Sequence, residues 1–119
     1  MAYKIIAEYV RPDTGVEFPK TSDHNSDYYT WMRDYYTNNG IALSFDLSED
    51  ELTLTVTLEM ANKDVWTTYD AAHTADGRGD ATKALLNSDF ASRGITLEIK
   101  EDDNGTVSTL KAEGPGFSA

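Results

Sequence analysis

The residues of this chain with the means to do chemistry gather around two histidines. His73 stands four residues after Tyr69 and seven after Trp66, the spacing of one helix face, with Asp70 and Asp76 three residues to either side. An imidazole among aromatic rings with carboxylates nearby can act as a general base or an axial ligand, because its proton comes and goes near neutrality. The same pattern describes a hydrogen-bonded histidine at the rim of a core, and the sequence favours that second reading. Trp66, Tyr69 and His73 are therefore the ligand-binding candidates should the chain take a small molecule, and no residue is assigned a catalytic role. His24 lies far off in the chain beside Asp23 and Asp27. Two histidines at that separation lack metal-ligand spacing, so no metal is expected.

Other short motifs carry less. Asp102-Asp103-Asn104-Gly105 offers carboxylates to a cation but lacks the ligand spacing and closing glutamate of a calcium loop. Asn104-Gly105 is the strongest hairpin signal in the chain, a two-residue turn that sets Ile99 opposite Leu110 and Leu97 opposite Ala112. Asn104-Gly105-Thr106 would accept a glycan only on a secreted chain. Arg78-Gly79-Asp80 matches an adhesion tripeptide, yet a helix break followed by a cap accounts for all three residues. The sequence contains no glycine-rich phosphate loop, nucleophile elbow or paired-histidine motif.

The elements that must position these groups follow from periodicity. Ile41, Leu43, Phe45 and Leu47, then Leu52, Leu54, Val56, Leu58 and Met60, alternate with polar residues, so two strands each present one apolar face. A four-residue loop at Ser48 to Glu51 would place Leu47 against Leu52, Phe45 against Leu54 and Leu43 against Val56. Tyr3 to Val10 alternates with apolar residues on both faces, the mark of a central strand. Arg11 to Asn25 reads as one long connection, with Val16 and Phe18 as its anchors. A helix capped by Asp23 or Ser26 runs to about Asn38 and carries Tyr28, Tyr29, Trp31, Met32, Tyr35 and Tyr36 along one stripe. That stripe is the layer the hairpin needs, with Tyr29 and Trp31 at its margins. Asn62 caps a helix to about Ala75, Asp80 caps another to about Ser92, and Ile95, Leu97 and Ile99 begin a further strand.

The order β-α-β-β-α-β plus one added strand favours an α+β fold, ferredoxin-like, in which an antiparallel sheet carries its helices on one face and a C-terminal hairpin strand is appended. One domain is expected over residues 1 to 113, with 114 to 119 a loose tail. Asp and Glu number 21 against 10 Lys and Arg, a net charge of -11, which disfavours direct contact with nucleic-acid phosphates and suits a basic protein partner. The absence of cysteine excludes disulfides and thiolate chemistry. No run is long enough to span a membrane, and a cytoplasmic protein is expected.

With Trp66 and His73 on one helix, this order of elements resembles the dimeric α+β-barrel group that includes antibiotic-biosynthesis monooxygenase-type proteins. Haem-degrading members of that group use an asparagine, a tryptophan and a histidine. The resemblance implies a homodimer and matches the last two to Trp66 and His73, while Tyr3 to Val10 holds no asparagine to complete the set. Three readings follow. The leading one is a small acidic, non-catalytic interaction or structural module of viral or microbial origin, needing no cofactor and meeting its partner through Tyr29, Trp31 and Phe18. The others are a monooxygenase-like binder of small molecules with a pocket between sheet and helices, and an acidic mimic of nucleic acid.

Overall fold

Alternation in Tyr3–Val10 produces the strand on which the rest is assembled. In the computed structural model, which describes residues 2 to 110, this strand is β1. It is followed by α1 (Thr21–His24), α2 (Ser26–Asn38), β2 (Ala42–Leu47), β3 (Thr53–Met60), α3 (Lys63–Asp76), α4 (Gly79–Ser92), β4 (Thr96–Asp103) and β5 (Thr106–Thr109). The fold is α+β, with one open antiparallel sheet in the order β2-β3-β1-β4-β5. The expected tail, residues 114 to 119, lies outside the described residues.

The two-sided apolarity of β1 matches its central place between β3 and β4. Ala7 sits opposite Val56 on one side and Ile99 on the other. Tyr3, Ile5, Ala7 and Tyr9 form one buried row, joined by Leu54, Val56, Leu58 and Met60 of β3. Tyr28, Met32 and Tyr36 of α2, Tyr69 of α3, and Leu86 and Phe90 of α4 close over it as one core. The opposite face, with Thr53, Thr55 and Thr57, carries a charge ladder instead. Lys4 pairs with Glu59 and Lys100 with Glu8, each at 3.3 Å. No described helix is long and apolar enough to cross a membrane.

The helix ends follow side-chain chemistry. The Asn25 carboxamide accepts from the Tyr28 N–H at 3.0 Å, so Asn25, between the two expected caps Asp23 and Ser26, starts α2. Asn62 caps α3 as expected, accepting from the Val65 N–H at 3.3 Å. Helix α4 begins at Gly79, one residue before the expected cap Asp80. The turn at Asn104-Gly105 sets the expected pairing, and the Leu110 N–H donates to the Ile99 carbonyl at 2.8 Å. Ala112 lies outside the described residues.

The β2–β3 hairpin differs from expectation in two ways. Its register is displaced by two residues, pairing Leu47 with Leu54, Phe45 with Val56 and Leu43 with Leu58. The loop chemistry explains this. The Glu51 N–H donates to the Ser48 carbonyl at 2.9 Å, and Glu51 then takes a left-handed φ of 62°. The Ser48 hydroxyl donates to Asp50 Oδ1, which also accepts from the Leu52 N–H, so the loop closes between Ser48 and Thr53. A displacement of two preserves the faces, and the apolar row stays on the helix side. The second difference is coverage. The helix layer seals β1 and β3 but leaves Phe45 at 38% and Leu47 at 44% exposure, because β2 is the sheet's edge.

The long connection is held down rather than loose. The Arg11 guanidinium donates to the Glu51 and Val16 carbonyls and lies 4.8 Å over the Phe18 ring. One helical turn, α1, interrupts its second half, and His24 Nε2 meets Asp89 Oδ2 of α4 at 3.0 Å.

Candidate functional site

The spacing of Trp66, Tyr69 and His73 on α3 does bring their rings together, with centroids 5.2 Å apart for Trp66 and Tyr69 and 5.6 Å for Tyr69 and His73. Helix α2 completes the cluster. Trp31 lies 6.1 Å from Tyr69 and 6.3 Å from His73, and Tyr35 lies 5.2 Å from Tyr69. Tyr28, Tyr69 and His73 are buried, whereas Trp31, Tyr35 and Trp66 are half-buried at the rim.

At the centre, the Tyr28 hydroxyl and His73 Nε2 are 2.6 Å apart. Burial, and after it the charge of Lys83, pushes the His73 pKa down, although Asp80, Asp70 and Asp76 pull the other way. The imidazole is thus neutral at neutral pH. Burial pushes the Tyr28 phenol up, so the phenol is the donor and Nε2 the acceptor. The Tyr36 hydroxyl donates to Tyr69 at 3.5 Å. Three phenols, each pushed up by desolvation, share the buried cluster with the imidazole. Each of these hydroxyls finds a partner, as buried polar groups must.

The contact of the imidazole with α4 explains a residue that the sequence pattern assigns to a helix break. Gly77 takes the left-handed φ of 81° that ends α3. Gly79 serves a different purpose, since a methyl group placed on it would overlap His73 Nε2 and Cε1. The histidine ring lies flush on the first turn of α4, and only glycine permits that approach. The corner between the helices is pinned by Arg78, whose guanidinium donates to both carboxylate oxygens of Asp76 at 2.9 and 2.8 Å. That pairing holds the Asp76 carboxyl below its ordinary range. Asp76-Gly77-Arg78-Gly79 signals the corner in the sequence, but nothing local to it reveals that the second glycine faces the ring of His73.

The three sequence candidates for partner contact are not gathered. Trp31 belongs to the aromatic cluster. Tyr29 accepts a hydrogen bond from Arg33 at 2.7 Å, and Phe18 lies beneath Arg11. A cleft of about 240 Å³ opens between the end of α2 and the start of α3, lined by Tyr35, Asn39, Asp64, Val65 and Thr68. One aromatic wall and one exposed carboxylate give it the chemistry of a seat for a cation. Among the described residues there is no group of acids and histidines able to hold a metal ion. No protein-family model matches the chain, and no curated protein matches it in sequence.

Proposed function

We propose that the protein is a small acidic interaction module without catalytic chemistry, built on a ferredoxin-like β-α-β-β-α-β plan with an added C-terminal hairpin strand, and serving a basic protein partner. A reducing cytoplasm and a microbial or viral source suit such a module. The observation that carries this reading is the commitment of His73. Its Nε2 is occupied by Tyr28, its ring is pressed on Gly79, and none of the described clefts is lined by it. The groups that stay accessible are aromatic rims and carboxylates. Trp31 and Tyr35 border α2, and Asp64 stands across the cleft, an arrangement that accepts a lysine or arginine side chain by charge and by the ring face.

Titration with arginine-rich and lysine-rich peptides, followed by tryptophan fluorescence, tests it. Binding that weakens with salt and is lost in Asp64→Lys supports the reading; no binding at low salt, together with turnover of a small molecule, rejects it. The gathering of Trp66, Tyr69 and His73 favours one second reading, a small-molecule binder of the monooxygenase-like group. Absorbance titration with haem and quinones would then show a change lost in His73→Gln.

A further inference from the structure

Two helix ends border the cleft between α2 and α3, and each has a preferred sign of charge. Asp64 stands in the first turn of α3, the end of a helix that suits an anion. Tyr35 and the cap residue Asn39 belong to the last turn of α2, the end that suits a cation, yet no basic residue lies in that turn. The cations that these helices do carry are spent elsewhere. Arg33 donates to the Tyr29 hydroxyl and lies over that ring, and Lys63 meets Glu101 at 3.5 Å. Among the described residues, no salt bridge reaches Asp64. The Asn39 carboxamide has a fixed sense, because its nitrogen donates to the Tyr35 carbonyl at 2.8 Å and its oxygen is what it can offer a ligand.

We propose that this cleft is a seat for an arginine side chain and discriminates against lysine, so that the basic partner is recognised by an exposed arginine. Such selectivity rests on the cleft accepting a basic partner at all. A guanidinium carries five N–H donors in one plane and is more weakly hydrated than an ammonium. Two of those donors match the two oxygens of Asp64, a third serves the Asn39 oxygen, the flat face lies on the Tyr35 ring, and the methylenes of the side chain cover Val65. A volume of about 240 Å³ admits one such side chain. An ammonium finds the same carboxylate but cannot stack, and it gives up a tighter water shell to enter. A trimethylated lysine has no donor for Asp64 or Asn39, and it meets one ring wall where it would need a cage. The acceptor-rich lining with a single aromatic wall is what selects the guanidinium.

Calorimetric titration with three peptides of equal length and charge, carrying arginine, lysine or trimethylated lysine at the same positions, tests the choice. The arginine peptide is expected to bind roughly 5- to 30-fold more tightly than either of the others, from one stacked ring and one added hydrogen bond. Asp64→Asn weakens binding of the arginine and lysine peptides together. Asn39→Ser and Tyr35→Leu bring the arginine peptide down toward the lysine peptide, whereas Tyr35→Phe, which keeps the ring, keeps the preference. Circular dichroism confirms that each variant is folded, and Asn39→Ser, at an exposed position, decides the matter should Tyr35→Leu unfold. Equal binding of the arginine and lysine peptides overturns the arginine seat while leaving a basic partner in place. Tightest binding of the trimethylated peptide overturns it as well, and so does a preference for arginine that survives Asn39→Ser unchanged. Failure of all three peptides to bind removes both the seat and the reading of the protein as a module for a basic partner.

Discussion

Replacing a helical glycine by alanine ordinarily stabilises a protein, by about 0.5–1 kcal/mol, because the unfolded chain loses freedom. At Gly79 the sign must reverse. The added methyl would overlap Nε2 and Cε1 of a ring confined by Tyr28, Trp31 and Tyr69. Overpacking of this kind costs about 1–3 kcal/mol, and displacing the imidazole also breaks the 2.6 Å bond to Tyr28, worth about 1 kcal/mol. After subtracting the ordinary gain, Gly79→Ala destabilises by about 1–3 kcal/mol, a fall in the melting temperature of roughly 4 °C for each kcal/mol. Urea denaturation of four proteins, the parent chain, Gly79→Ala, His73→Ala and the double variant, isolates the contact. In the His73→Ala background the methyl has space, and the second substitution becomes neutral or stabilising, giving a coupling energy of more than about 1 kcal/mol. If Gly79→Ala alone raises the midpoint, or if the two effects simply add, the packing of the imidazole on α4 is wrong.

The same site makes two further demands. Tyr28→Phe leaves Nε2 buried without its donor and should lower stability by about 1–3 kcal/mol, read from the shift in urea midpoint at constant slope; an unchanged midpoint would show that the phenol is not paired there. The pH dependence has a definite sign. The folded His73 pKa lies below its unfolded value near 6.5, so the unfolded chain binds the proton first. Stability is full above about pH 6.5, declines as the pH falls through that value, and levels once the folded imidazole also protonates. In His73→Gln the decline between about pH 7 and pH 5 is flattened, whereas a slope equal to that of the parent would assign the titration to other groups.

Much of this fold is written in alternation. The polar-apolar rhythm of β1 and β3 and the turn at Asn104-Gly105 are local signals, and the structure follows them to the residue in β1 and in the β4–β5 pairing. What escaped is chemistry between side chains and backbone. The β2–β3 register depends on Ser48 and Asp50 closing their own loop and on Glu51 accepting a left-handed backbone, a choice that no hydrophobic pattern encodes. The aromatic stripe of α2 correctly foretold the core at Tyr28, Met32 and Tyr36. It could not show that Tyr28 meets His73 and Tyr36 meets Tyr69, because both partners arrive from another helix. Gly79 reads in the sequence as punctuation between helices, whereas its role is to make room.

The central position of β1 sets the order of events during synthesis. Tyr3 to Val10 leaves the ribosome well before one of its two neighbours, which is built from residues 96 to 103. Until that segment emerges, the nascent chain holds an apolar ribbon with one flank open, and the tyrosines that later face inward have no complete shelter. The sheet therefore cannot close before β4 is made, and pauses in translation just before β4 prolong the interval in which a chaperone has something to hold.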